Sequence, residues 1–395
     1  MARVVIIGAG MVGAACAAEL AGRVDLTVVE ANRPAGGATA ACMGHVVVMD
    51  DSEAQFALSE YSRRLWDEVD WPASVERDRC GTLWLAEDDE ELAAARSKRD
   101  FYTQRGAEAE MLDAESLRRA EPQLRPDLIG ALRIPGDSVV YPPAAVAVLL
   151  ERAARQAESA SRAFELRVGR RVVSLDGAVD GAADGSLDGA VVLDDGSRLE
   201  ADWVVIAAGL GAIELLGKRA GALRIRPRKG HLVITDRRPG FCHHQLVELG
   251  YLKSAHGDAS SSVAFNLQPR ATGQMLVGSS RQADVATRET EPELVAKMLR
   301  RAAHFLPRLG ELQAIRIWTG LRPATDDHLP YVGPFDDVTG GSSSGPRLCL
   351  AAGHEGLGIT TATGTARLVA HHLLGDAVPI DPQPYLPSRA RGATP

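Results

Sequence analysis

Residues 4–20 read VVIIGAGMVGAACAAEL: an apolar run, glycines at 8, 10 and 13, then small residues. An apolar run without alternation predicts a strand buried on both faces, as parallel strands are. The glycines interrupt it with a tight loop, and the alanine-rich stretch to about Ala21 predicts a helix. Residues 25–30, DLTVVE, predict a second strand. The product is a βαβ unit with a right-handed crossover, and the fold class that follows is α/β. In Gly8-x-Gly10-x-x-Gly13 the first glycine permits the turn, the second lets backbone approach a pyrophosphate, and the third lets the helix pack on the strand. The helix N-terminus offers N–H groups to phosphate. Glu30, ending the second strand, offers a carboxylate to ribose hydroxyls. The predicted ligand is a dinucleotide; the alternative is a glycine-rich turn in a plain α/β sheet.

A second unit of this kind lies near the other end of the chain. Residues 347–352 predict a strand, 353–359 read GHEGLGI, and a helix follows with Thr360 and Thr361 in or near its first turn. Its N–H groups suit the pyrimidine end of a flavin, which is anionic when reduced. A nicotinamide cofactor needs no such distant loop, so the pair points to FAD. The alternative is a second structural βα turn.

Between these units, helices are predicted at 52–69, 88–106, 112–120 and 144–157, the last opened by Pro142-Pro143. Strands are predicted at 79–86, 131–135, 138–141, 164–175, 189–199 and 203–208, with a long Gly/Asp-rich loop at 176–189. From 222 the pattern changes to alternating strands at 231–235, 245–252, 263–267 and 274–279, followed by a helix at 291–305. Another flexible loop, GGSSSG, occupies 340–345. The expected architecture is a Rossmann-like cofactor domain with an inserted α+β domain built on an antiparallel sheet. The cofactor domain is discontinuous, at 1–85, 142–221 and 321–395; the substrate domain takes 86–141 and 222–320.

Composition narrows the function classes. Of 395 residues, 45% are hydrophobic and 24% charged, ordinary for a globular chain. The net charge of −8 with no Lys/Arg-rich block argues against nucleic acid. No apolar run approaches the roughly 18–20 residues of a membrane span. The N-terminus enters a strand at once, unlike a signal peptide, so a cytoplasmic location is expected. Five cysteines at 16, 42, 80, 242 and 349 form no C-x-x-C or ligand cluster, so reduced thiols and no metal are expected.

Five motifs in order, GAGMVGAA (8–15), Glu30 followed by GGATAACMGHV (36–46), WVVIAAGLGA (203–212), WTGLRPATDDHLPYVG (318–333) and GHEGLGITTATGTA (353–366), carry a resemblance over nearly the whole chain. The chain resembles the D-amino acid oxidase/glycine oxidase superfamily of FAD-dependent amine oxidoreductases. The resemblance implies that Gly8, Gly10, Met11, Val12, Gly13, Glu30 and Ala31 hold the ADP half, with Arg33 just after the second strand. Ala38, Thr39, Gly44 and His45 fall along the flavin, Val172 meets adenine, and Ala208 and Gly209 lie near the pyrophosphate. Gly353, His354, Glu355, Gly356, Leu357, Gly358 and Ile359 line the isoalloxazine. Relatives often have Asn-Ala-Gly where this chain has Cys42-Met43-Gly44. Ala41 stands where some relatives carry a flavin-attaching His, so the FAD is expected to be non-covalent.

On the substrate side the resemblance places Arg322 over the flavin. A guanidinium there matches a carboxylate bidentately; the alternative is an arginine satisfied by backbone carbonyls or Asp326. Tyr251 is a second candidate donor to that carboxylate, or a sheet tyrosine. His45 is a candidate pocket residue that assists loss of the ammonium proton, or a packed histidine. The expected reaction is oxidative deamination or dehydrogenation of a small amino acid or cyclic secondary amine, giving an imine. Residues 38–69 resemble the D-hydroxyproline dehydrogenase group, with D-proline or cis-4-hydroxy-D-proline as substrate type. The alternatives are a glycine/sarcosine oxidase, a broad D-amino acid dehydrogenase, or a flavoprotein subunit passing electrons to a partner. The acceptor is oxygen, a quinone or a partner protein. A nucleotide-binding regulator without turnover is a further, different class.

Overall fold

The structure is a computed structural model that describes residues 2–175, 190–250, 261–335 and 346–391. A six-stranded sheet has the order Tyr331–Phe335, Arg347–Ala352, Trp203–Ile206, Arg3–Ile7, Asp25–Glu30, Phe164–Val168. It is parallel except at the Tyr331–Phe335 edge. The first strand explains its own position. Val4 and Ile6 enter the core on one face, while Val5 and Ile7 enter the core on the other. The helix Met11–Leu20 is alanine-rich because it is crowded, packing against both Gly358–Leu374 and Pro142–Ser159.

A second sheet of eight strands runs Ala314–Ala324, Arg226–Thr235, Met275–Ala283, Ser261–Pro269, Gln245–Glu248, Thr82–Ala86, Gly130–Ile134, Glu110–Asp113. Its neighbours are antiparallel apart from the pair Gln245–Glu248 and Thr82–Ala86. The helix Pro292–Phe305 covers one face, where Phe305 stacks on Phe265 with ring centroids 4.6 Å apart. Helix starts follow the sequence signals. Ser52 caps Glu53–Asp67 by accepting from Gln55 N–H at 3.1 Å, and Asp88 caps Asp89–Gln104 by accepting from Glu91 N–H at 2.9 Å.

Five expectations need correction. The stretch 189–199 is not one strand but the two arms of a hairpin, Ala190–Leu193 and Arg198–Glu200, paired antiparallel. The stretch 164–175 is not one strand. It breaks at Gly169, whose φ is +71°, so that Phe164–Val168 joins the parallel sheet and Val172–Ser174 a separate three-stranded sheet. Thr82–Ala86, assigned to the cofactor unit by the 85/86 boundary, pairs within the second sheet. Ala314–Ala324, the longest strand of that sheet, is absent from the sequence reading and crosses the 320/321 boundary. Glu110–Asp113 is a strand where a helix start was expected, Asp113 being both its last residue and the cap of Ala114–Ala120. The loops predicted at 176–189 and 340–345 lie outside the described residues.

Candidate active site

One cavity of about 1160 Å³ lies between the two sheets. Its floor is the carboxyl end of the parallel strands, at Ile7, Gly8, Ala207, Ala208, Gly209, Ala352 and Gly353, where open α/β sheets bind ligands. Gly10, Met11 and Val12 bring the first turn of the N-terminal helix to its wall. Met11 N–H donates to Thr39 Oγ1 at 3.1 Å, which fixes Thr39, also on the wall. Glu30 reaches the cavity from the end of its strand. Its carboxylate accepts from Ala9 N–H and Asn32 N–H, each at 2.9 Å, and keeps further lone pairs for a ligand. Ala31, Arg33, Ala38, Gly44, His45 and Val172 complete the expected lining on this side. Gly13 lies off the cavity: a Cβ there would stand 1.9 Å from Gly8 O, so its role is backbone packing.

The opposite end is built by the last helix and the second sheet. Gly356, Gly358 and Ile359 line the cavity, while Leu357, just before the helix Gly358–Leu374, does not. Thr360 locks this helix to residues 45–47: its hydroxyl donates to His45 O at 3.1 Å and accepts from Val47 N–H at 3.0 Å. His354 is buried, shares a 2.9 Å hydrogen bond between Nε2 and Thr365 Oγ1, and is pushed by burial to a pKa of about 3. It is a neutral brace for the loop. Glu355 pairs with Arg228 and with His328 Nδ1 at 2.8 Å. Burial alone would raise its pKa; the His328 hydrogen bond and the charges of Arg228 and Arg281 outweigh it and hold it at about 2.

Arg322 lies where the loop and the sheet meet. Glu355 N–H donates to Pro323 O at 2.9 Å, tying the loop to the strand that carries Arg322. Across the strand pair, Gly230 leaves room for the guanidinium: a Cβ there would sit 2.5 Å from Arg322 Nη2 and 2.6 Å from Nη1. Arg322 Nη1 donates to Ser280 O at 3.2 Å, and the side chain lines the cavity. Part of the carbonyl alternative is therefore real, while Asp326 lies 3.8 Å from Arg226. Tyr251 lies outside the described residues.

His45 corrects an expectation. Burial pushes its pKa to about 3, opposed in part by the Gln268 amide, so near neutral pH it is uncharged and too weak a base to hold the ammonium proton. Sequence reasoning passed over Gly230, Leu232, Asn266, Ser279 and Arg288, all on the cavity wall from the second sheet or the segment beyond it. Strand pairing brings them there, and no local motif marks them.

The sequence pattern of the DAO family, the FAD dependent oxidoreductases, matches residues 3–372. The chain belongs to this family. The glycine oxidase of Pseudomonas aeruginosa is 27% identical over 98% of this chain and 98% of its own. The hydrogen cyanide synthase subunit HcnC of the same organism is 28% identical over 98% and 95%. The crystal structure of glycine oxidase from Geobacillus kaustophilus superposes with a TM-score of 0.82 at 25% identity, covering 98% of this chain and 99% of that one. This FAD-dependent oxidoreductase thus has the two-sheet fold of glycine oxidase.

The residues present fit FAD. Helix N-termini stand at both ends of one cavity, with the Glu30 carboxylate at the end where the first βαβ unit would hold ribose. Cys42 also lines the cavity, yet its thiol donates to Thr39 O at 3.1 Å and burial pushes its pKa up to about 12. It is a thiol rather than the thiolate that attachment requires. Acid precipitation of the yellow protein is expected to leave a colourless pellet and a yellow supernatant, and Cys42→Ser to keep a full complement of FAD. A yellow pellet contradicts this.

Proposed function

We propose that this FAD-dependent oxidoreductase oxidises a small amino acid or cyclic secondary amine of the D-proline or cis-4-hydroxy-D-proline type. The observation that carries the reading is Arg322, laid over Gly230 on the cavity wall beside the 353–358 loop. A guanidinium in that place holds an α-carboxylate bidentately and fixes the α-carbon. The chemistry that FAD supplies when bound is two-electron acceptance. The substrate loses its Cα–H and an N–H as C=N forms, and water hydrolyses the imine. No acid or base from the chain is needed, which accords with a neutral His45. The likeness to glycine oxidase supports an amine-oxidising reading and keeps glycine and sarcosine in view.

Anaerobic bleaching of the flavin absorbance is the test, across D-proline, cis-4-hydroxy-D-proline, glycine, sarcosine and common D- and L-amino acids. Bleaching by the cyclic D-imino acids ahead of glycine supports the proposal. Preference for glycine or sarcosine, or for many D-amino acids alike, overturns the narrower part. The likeness to HcnC, a named subunit, favours a second reading: a chain that passes electrons to a partner. Turnover of the lone chain with an artificial acceptor but not with oxygen or quinone favours that reading. No described helix is long and apolar enough to cross a membrane; a cytoplasmic location is part of the proposal and is read by cell fractionation.

A further inference from the structure

The strand Ser261–Pro269 has two unlike faces. Phe265 and Leu267 point into the core beneath the helix Pro292–Phe305. Asn266 and Gln268, alternating with them, face the other way, toward the cofactor side. Asn266 lines the cavity, is 9% exposed, and its Oδ1 has no hydrogen-bond partner. Gln268 is fully buried, and its amide bears on the His45 ring. His45 is also on the cavity wall, with its Nε2 buried and Gln268 as the hydrogen-bonding group on its ring. Opposite Asn266 the neighbouring strand carries Gly278, over which Leu232 and Met43 pack.

Native interiors pair their buried polar atoms, and an unmet one is destabilising. Here Asn266 leaves its amide oxygen unmet at the cavity wall that His45 also lines. We propose that Asn266 and His45, the latter positioned by Gln268, form a subsite for a neutral hydrogen-bonding substituent, a hydroxyl or amide, on the substrate's side chain. The inference rests on the amine-oxidase reading above and deepens it. A hydroxyl suits this subsite because it both donates and accepts, and so pairs with a primary amide in either orientation. A charged substituent does not, since none of the three carries a charge to pair with it. Arg322, on another strand of the same sheet, serves the α-carboxylate.

Two measurements on the FAD-loaded full chain test this. The first compares kcat/KM for matched pairs, cis-4-hydroxy-D-proline against D-proline and D-serine against D-alanine. A preference for the hydroxylated member of about tenfold or more is expected. It should collapse toward parity in Asn266→Leu, and in Asn266→Ser, which keeps a smaller polar group, it should fall part of the way. FAD content and melting temperature verify that the variants are folded. The second measurement needs no turnover: 3-hydroxypropionate and propionate are titrated against the flavin spectrum. About tenfold tighter binding of the hydroxylated acid is expected, lost in both Asn266→Leu and Gln268→Leu. If no amine bleaches the flavin, the functional reading fails while this binding comparison still decides the subsite. Equal binding of the two acids by the wild type, a ratio unmoved by the variants, or a preference for D-aspartate over D-serine overturns the proposal.

Discussion

Replacing Arg322 with alanine is expected to lower kcat/KM by about a thousandfold, almost entirely through KM, with FAD still bound. Two charge-assisted hydrogen bonds from the guanidinium to a carboxylate are worth about 1.5–3 kcal/mol each, and every 1.4 kcal/mol is a factor of about ten. The group sits at the substrate end of the cavity, on the strand hydrogen-bonded to the 353–358 loop, and away from the Glu30 end. Arg322→Lys should recover part of the loss, because it restores the charge without the planar fork. Gly230→Ala gives an independent check. Its Cβ would fall 2.5–2.8 Å from Nη2, Nη1 and Cζ of Arg322, so the guanidinium must leave its seat. This variant should reproduce much of the KM increase although it removes no functional group. Loss of FAD from Arg322→Ala with substrate affinity unchanged contradicts the assignment.

Gly13→Ala is expected to yield largely apoprotein. The added Cβ would lie 1.9 Å from Gly8 O and 3.0 Å from Gly8 C, well inside contact distance. The obstruction is backbone, so no side chain can swing away; the helix Met11–Leu20 must move off the glycine loop. That helix is held on its other sides by Gly358–Leu374 and Pro142–Ser159, which resist the shift. Overpacking of this kind costs about 1–3 kcal/mol or more. The shift also displaces the first-turn N–H groups that meet the pyrophosphate. The measurement is the ratio of flavin absorbance to protein, together with the melting temperature. A full complement of FAD at an unchanged melting temperature contradicts the packing role given to Gly13.

The parts legible in the sequence are those whose physics is local. Residues 4–20 announce strand, loop and helix because the apolar run, the glycines and the alanines each act within a few residues. The helices expected to begin at 52 and 88 do begin there, where Ser52 and Asp88 each accept from an N–H three residues on. The five spaced motifs extend this to the family, and residues 3–372 match it. The longest strand of the second sheet, absent from the sequence reading, carries Gly320 and Pro323, which are disfavoured inside strands. Yet Pro323 sits at the edge of the sheet, where no donor is needed on its open side, and faces Pro227 across the pair. Gly169 hid the break between two strands, since nothing local says that the chain changes sheets there. Asn266 and Gln268 were invisible as site residues for a deeper reason. Two polar residues on alternating positions predict a solvent-facing strand, and only tertiary packing buries that face and brings Asn266 to the cavity wall.

The central claim is that one cavity holds FAD and, through Arg322, the carboxylate of an amine. It is tested most directly by anaerobic flavin bleaching with the best amino or imino acid of the panel and with the same amine lacking its carboxylate, for example D-proline and pyrrolidine. The account predicts bleaching by the acid at concentrations about a hundredfold or more below those the decarboxylated amine requires, and near-equal requirements in Arg322→Ala. Equal bleaching of the wild type by both compounds would contradict it.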